Sequence, residues 1–268
     1  MNILFVADIY GSPGRRAVRD LMPEIVSSMG IDFVIANVEN AAAGFGVTKE
    51  ILEELKGLGV ECMTSGNHIW DRRESMPLLD QEPLLLRPHN YPAGAPGCGS
   101  KVFTTKAGVK IGVLNLMGRV FMRELDCPFR VADREVARLR EEAAVILLDF
   151  HAEATAEKVA LGWYLDGRIS ALLGTHTHIQ TADERILAKG TGYITDAGMT
   201  GPHDSVIGVR KELAIKKFLS LLPTRFEPAE GDVRLNGVHL DIDESTGRCR
   251  HIERISLALE PAPRVPIA

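Results

Sequence analysis

Five short segments carry side chains able to hold a metal ion: Asp8, Glu39-Asn40, Gly66-Asn67-His68, His151 and His176-Thr177-His178. Asp8 and Glu39 supply hard carboxylate oxygens, Asn67 an amide oxygen, and the histidines imidazole nitrogens. Mixed oxygen and imidazole donors suit manganese, iron or zinc, and the supply is enough for two ions sharing a bridging carboxylate. Two cations so placed lower the pKa of a bridging water, neutralise phosphoryl oxygens and orient in-line attack. A single structural zinc would need only four ligands and would favour thiolates. No cysteine falls within these segments. Taken singly, each piece also has an ordinary structural reading. Asp8 could be a turn or helix-cap residue, Glu39-Asn40 a solvated loop ahead of three alanines, and His151 a satisfied, partly buried histidine. Their joint occurrence at successive strand ends selects the dimetal reading.

The elements that must position these residues are legible as alternating patterns. Short apolar runs at Ile3–Ala7, Phe33–Ala36, Glu61–Thr64, Ile111–Asn115, Val145–Leu148 and Ile169–Leu173 look like strands buried on both faces. Between them, Arg15–Met29, Thr48–Leu58, Ala154–Tyr164 and Lys211–Leu222 carry apolar residues three and four apart and read as helices. Strand and helix alternate, so the fold class is α/β. Thr48 is a natural N-cap, Ser12-Pro13-Gly14 a plausible helix entry, and Pro23 a point where the first helix would kink or shorten. In a doubly wound sheet, loops after the carboxyl ends of strands converge on one crevice, so ligands distant in sequence would meet there. Residues two apart in an extended segment share a side, which lets His176 and His178 face that crevice together. Lys101–Thr105 and Lys110–Leu116 form a predicted hairpin. The segment Val233–Leu259 reads as two further strands around a turn at Asp243–Gly247, and Glu260-Pro261-Ala262-Pro263 as a trailing end.

Composition bounds the partners. The 268 residues are 45% hydrophobic and 25% charged, an ordinary globular balance, with a formal net charge of −5. No basic field is present to track DNA or a long RNA. No apolar run approaches the roughly 18 residues needed to cross a bilayer. The opening apolar run lacks a basic leader and reads as a strand, not a signal peptide. Cys62, Cys98, Cys127 and Cys249 are widely spaced, as expected of reduced thiols in a cytoplasmic protein.

The ordered ligand set resembles the calcineurin-like metallophosphoesterase superfamily. Asp8-Ile9-Tyr10-Gly11-Ser12-Pro13-Gly14-Arg15, Asn115-Leu116-Met117-Gly118-Arg119-Val120-Phe121, Asp149-Phe150-His151-Ala152-Glu153-Ala154-Thr155 and Asp196-Ala197-Gly198-Met199-Thr200-Gly201-Pro202 narrow the resemblance to its YmdB-type subgroup, across essentially the whole chain. Two departures from the general pattern, Tyr10 in place of a histidine and Glu39 in place of an aspartate, fit that subgroup. The resemblance implies one domain spanning 1–268, a layered α/β sandwich of mixed sheets flanked by helices, with the dimetal site at the carboxyl ends of strands. It implies Asp8 and His178 on one metal, Asn67, His151 and His176 on the other, and Glu39 bridging. Asn40 would assist the first metal or hold a phosphate oxygen.

The implied activity is hydrolysis of 2′,3′-cyclic nucleotides to 3′-nucleotides by a metal-bridging hydroxide, with iron or manganese as the metals and zinc or magnesium as further candidates. His68 would act as general acid. A phosphomonoesterase or phosphoprotein phosphatase, or a nucleotide-sensing regulator with weak catalysis, are the alternative functions. Substrate contacts from Arg119, Phe121 and Thr200 compete with surface-loop or subunit-contact readings. Asp149 and Glu153 are expected either to orient ligand imidazoles or to serve local structure. Arg15 and Arg16 are expected in solvent, and His89, His239 and His251 are expected to lack neighbouring ligands. A homo-oligomer without membrane or DNA partners completes the expectation.

Overall fold

In the first strand, Ile3 and Phe5 enter one apolar layer while Leu4 and Val6 enter another, so the strand is covered on both faces. The computed structural model describes residues 1–260, and the trailing end expected at Pro261–Pro263 lies outside them. In chain order the strands are β1 (Asn2–Val6), β2 (Asp8–Ile9), β3 (Phe33–Asn37), β4 (Cys62–Thr64), β5 (Ser100–Thr104), β6 (Lys110–Met117), β7 (Val145–His151), β8 (Ala171–Thr175), β9 (Arg185–Ile186), β10 (Gly192–Ile194), β11 (Met199–Pro202), β12 (Val233–Ile242) and β13 (Cys249–Ala258). The α-helices are α1 (Gly11–Ser28), α2 (Lys49–Gly57), α3 (Ser75–Gln81), α4 (Pro128–Arg140), α5 (Thr155–Tyr164) and α6 (Lys211–Ser220).

Two mixed sheets stack face to face. One runs β2-β11-β12-β1-β3-β4 with β13 added beside β12, and the other runs β5-β6-β7-β8-β10-β9. The layer between them is filled by Ile3, Phe5, Phe33 and Ile35 from one sheet and Phe103, Val113, Leu147 and Leu173 from the other. On the outer faces, α1 and α2 cover the first sheet through Val18, Met22, Leu52 and Leu55. Helices α4 and α5 cover the second through Val131, Val136, Leu139 and Leu161. This is the layered sandwich of mixed sheets expected above.

Several boundaries differ from expectation for local reasons. Helix α1 starts at Gly11, ahead of Arg15, and runs through Pro23. Pro23 is exposed, so the carbonyl it leaves without a helical partner can face water. The strand expected at Ile169–Leu173 lies two residues later, as β8, which leaves His176 immediately past its end. Helix α4 went unread; Pro128 opens it, in keeping with proline's preference for the first helical turn. The short strands β2, β9, β10 and β11 carry too few residues to show a period. Thr48 caps α2 as expected, its hydroxyl accepting from the Ile51 amide at 3.4 Å. The hairpin of β5 and β6 pairs antiparallel from Ser100↔Leu114 to Thr104↔Lys110.

Candidate metal centre

Every proposed ligand sits at or just past the carboxyl end of a strand or in the turn that follows. Asp8 opens β2 directly after β1, Glu39 and Asn40 follow β3, and Asn67 and His68 lie in the 3-10 turn Asn67–Trp70 beyond β4. His151 is the last residue of β7, and His176 and His178 follow β8. Parallel pairing of β1 with β3 and of β7 with β8 brings these ends level within each sheet. Stacking of the sheets then closes Asp8, Glu39 and Asn67 onto His151 and His176.

The contacts centre on His151, which is fully buried. Its Nδ1 is 2.9 Å from Thr175 Oγ1, and that hydroxyl donates to Asp149 Oδ1 at 2.7 Å. The hydroxyl hydrogen is thereby committed to the carboxylate, so Nδ1–H is the donor and Nε2 is the nitrogen turned toward the cluster, where a bound cation would replace its proton. Glu39 Oε1, Asn67 Oδ1 and His176 Nδ1 each lie 3.1 Å from that Nε2. His176 is held in the matching state: its Nε2 reaches Glu153 Oε2 at 3.1 Å, which leaves Nδ1 to turn inward. Four potential ligand atoms therefore face one point. Glu39, His151 and His176 present ligand atoms all within 4.8 Å of one another.

A second half of the cluster adjoins the first. Asp8 Oδ2 accepts from the His176 backbone N–H at 3.1 Å, while Asp8 Oδ1 is buried with no hydrogen-bond partner. His178 donates from Nδ1 to the Ile207 carbonyl at 2.9 Å, and its Nε2 lies 3.2 Å from Asn40 Nδ2. Asn40 Nδ2 also approaches Glu39 Oε1 at 3.3 Å. Tyr10, standing where a further imidazole would be, packs edge-on against His178 with ring centroids 5.7 Å apart. The orphaned Asp8 oxygen and the inward lone pairs are what a cation-binding donor set requires, so the residues present fit a pair of divalent metals.

Charge in the cluster points the same way. Burial outweighs the neighbouring His151 charge and raises the Asp8 carboxyl well above its ordinary range. Burial also opposes charge on Glu39, but His151 and the His68 backbone hold that carboxyl down at about 2. The reciprocal pull, led by Glu39, brings His151 up to about 9 against its own burial. Burial and the His151 charge hold His176 down at about 3. Asp8, Glu39 and Asp149 are thus carboxyl groups in a dry core whose nearest compensating charge is one imidazolium, a deficit that divalent cations would fill.

Local backbone is bent to make this arrangement. His176 and His178 take φ of 101° and 65°, so they do not share the face of an extended segment as expected; left-handed turns aim them inward. Asp196 pins that turn, accepting from the Thr177 amide at 3.1 Å and hydroxyl at 2.8 Å and from the buried Lys158 Nζ at 2.8 Å. Gly66 lies so close to the His151 ring that any Cβ would collide with it, which explains a glycine ahead of Asn67-His68.

His68 stands at the rim, partly exposed. Its backbone N–H donates to Glu39 Oε2 at 2.8 Å, and its Nδ1 meets Asp71 Oδ2 at 2.7 Å. Phe45 packs edge-on to its ring at 5.1 Å. Asp71, Asp196, Lys158 and Thr175 are functional supports that sequence reasoning missed. The spacing of Asp71 three after His68, and of Asp196 in its Asp-Ala-Gly-Met motif, were the available signals.

Other expectations change. Thr200 is fully buried in β11 and donates its hydroxyl to the Asn236 carbonyl at 2.8 Å, so it does not reach the crevice. Arg119 and Phe121 lie on the exposed loop after β6, tied to the centre by Gly118 N–H donating to the His151 carbonyl at 3.0 Å. Arg15 is not solvated: it pairs with Glu54 at 2.8 Å and donates to the Ala41 carbonyl at 2.6 Å, bracing the loop that carries Asn40. Arg16 is exposed. His239 and His251, expected to lack neighbouring ligands, both face Glu253. His89 pairs with Glu135 at 3.2 Å.

Comparison with known proteins finds relatives along nearly the whole chain. The family model described as YmdB-like protein matches residues 4–255. A 2′,3′-cyclic-nucleotide 2′-phosphodiesterase of Bacillus subtilis (strain 168) is 49% identical over 255 residues, covering 95% of this chain and 96% of the relative. A crystal structure of a hypothetical protein from Thermus thermophilus superposes with a TM-score of 0.91 at 42% identity, covering 97% of this chain and all of the other. A crystal structure from Mycoplasma pneumoniae, described as a novel phosphatase, superposes with a TM-score of 0.90 at 34% identity, covering 96% of this chain and 93% of the other.

Proposed function

The chain belongs to the YmdB-like protein family, and on that premise we propose that it is a dimetal phosphodiesterase opening 2′,3′-cyclic nucleotides to 3′-nucleotides. The observation that carries this reading is the meeting of Glu39, Asn67 and His176 ligand atoms at Nε2 of His151. His151, His176 and Asn67 would hold one ion, Asp8 and His178 the other, and Glu39 both, with Asn40 beside His178 to assist the metal or a phosphate oxygen. Iron or manganese fits this oxygen and imidazole set. When bound, such a pair supplies Lewis acidity to the phosphoryl group and activates the attacking water.

The chain's own residues do the rest. His68 is fixed to the bridging Glu39 through its backbone N–H, so its imidazole stays at the rim of the centre. Asp71 accepts the Nδ1 hydrogen, so the imidazolium form of His68 presents its second hydrogen, on Nε2, to the departing ribose 2′ oxygen and ends the step as the neutral imidazole. Phe45 limits rotation of that ring. The loop Arg119–Phe121 is held by Glu157, which accepts from the Arg119 and Val120 amides at 3.1 and 3.2 Å, and supports a role in contacting phosphate and base. A cytoplasmic location suits the four free thiols, and no described helix is long and apolar enough to cross a membrane. Exposed Ile215, Phe218 and Leu219 on α6 support a homo-oligomer.

The test is product identification from the manganese- or iron-loaded protein with 2′,3′-cAMP. We expect 3′-AMP. His68→Ala is expected to slow turnover roughly 10²–10⁴-fold with the metal content of the wild type. Faster hydrolysis of an aryl monoester than of its diester would favour the phosphatase alternative. Tight nucleotide binding without product in metal-replete protein would favour the sensor.

A further inference from the structure

At the other end of the first sheet, three potential ligands meet on adjacent strands. His239 on β12 and Glu253 on β13 are direct cross-strand partners, as are Asp241 and His251 one step along. Alternation puts all four side chains on one face. His239 Nδ1 lies 2.9 Å from Glu253 Oε1, and His251 Nε2 lies 3.5 Å from the same oxygen. Asp241 is engaged elsewhere, by Arg250 at 2.8 Å. Asn2 fixes the His239 ring: its Nδ2 donates to the Gly30 carbonyl at 3.4 Å, which leaves Oδ1 to accept from His239 Nε2 at 3.2 Å. An imidazole that donates from Nε2 to an amide oxygen presents Nδ1 to Glu253, where a bound cation would replace the proton shared with the carboxylate, as supporting groups orient ligand histidines in known metal sites.

We propose that His239, His251 and Glu253 form a second metal site, binding one divalent transition-metal ion of the zinc class. The ligand atoms all lie within 4.8 Å of one another. Tetrahedral zinc with bonds of about 2.0 Å places its ligand atoms roughly 3.3 Å apart. The two shorter separations already bracket that value, and the partly exposed side chain of His251 closes the third by rotation. Two imidazoles and a carboxylate leave a fourth position for water. The site is separate from the catalytic centre: Asn2 opens β1 and Asp8 follows its end, six residues or roughly 20 Å away along the strand. The inference is independent of the activity proposed above. Bound metal would cross-link β13, whose ladder partner is β12, to the rest of the sheet.

Equilibrium dialysis of manganese-loaded protein against micromolar Zn²⁺, followed by elemental counting, tests the site. Wild type should take up one Zn²⁺ per chain more than His251→Ala or Glu253→Gln, both of which change exposed side chains and should keep wild-type circular dichroism and phosphodiester hydrolysis. His151→Ala should retain that extra ion, which separates the two sites. Equal uptake in wild type and in both surface variants would overturn the proposal, as would an increment that appears only at millimolar Zn²⁺.

Discussion

At Thr175 one hydroxyl decides which nitrogen of His151 is available. Its hydrogen goes to Asp149, and its oxygen takes the hydrogen of His151 Nδ1. Thr175→Val keeps the shape and removes this relay, so metal affinity should fall by roughly 10–100-fold, read by metal titration of the folded variant; unchanged affinity would place the orientation of His151 elsewhere. Phe121 raises a different question, because it is 89% exposed and held at φ 62°. A side chain that gains nothing from burial and sits in a left-handed conformation is well placed to stack on a base. Phe121→Ala should raise KM for 2′,3′-cAMP roughly 5–150-fold, corresponding to about 1–3 kcal/mol of lost stacking, with kcat little changed. A fall in kcat alone would contradict stacking. All seven candidate metal ligands were legible in sequence because short motifs carry them. Asp71 and Lys158 were not, since an aspartate or lysine acquires a role only from the partner the fold brings to it.

Helix α4 shows how an element without motif chemistry supports the site. It covers the second sheet beneath β6 and β7, and its Glu135 is buried and accepts from Ser100 Oγ at 2.8 Å and Arg138 Nε at 3.0 Å. Burial opposes its charge, but these donors outweigh burial and hold the carboxyl below its ordinary value of 4.5. Because the folded value is the lower one, the unfolded chain takes up the proton first as pH falls. The stabilisation is therefore complete above about pH 4.5 and is lost progressively below it. Glu135→Gln should cost about 1–3 kcal/mol at pH 7 and less at pH 4, measured by urea unfolding at both values. An equal cost at both would assign the loss to packing. The sequence showed the long strands and the helices α1, α2, α5 and α6 through their periods, but not α3 or α4. It did not show β2, β10 or β11, because two to four residues contain no period, and their pairing is set by neighbours far along the chain.

Across the whole molecule, the centre is a place where buried carboxylates outnumber the positive charges near them. Asp8, Glu39 and Asp149 are each at most 2% exposed. Bound cations should therefore hold the sheets together as well as serve chemistry. Stripping the metal with a chelator should lower Tm on the order of 10 °C, from about 4 kcal/mol of linkage at a metal concentration 1,000 times Kd and roughly 2–4 °C per kcal/mol in a chain of this size. Scanning calorimetry with and without chelator reads this directly, and an unchanged Tm would separate the centre from stability. The sequence by itself determined the donor types, their order, and their placement at strand ends, because those are local properties of short segments. Tertiary structure alone decided which nitrogen of each imidazole points inward, that His176 and His178 turn through left-handed backbone, that Thr200 is buried away from the crevice, and that His239, His251 and Glu253 meet. Those outcomes depend on strand register and on the stacking of two sheets, which join residues from 14 positions apart, as His239 and Glu253, to 168, as Asp8 and His176, and leave no trace in the spacing of either segment.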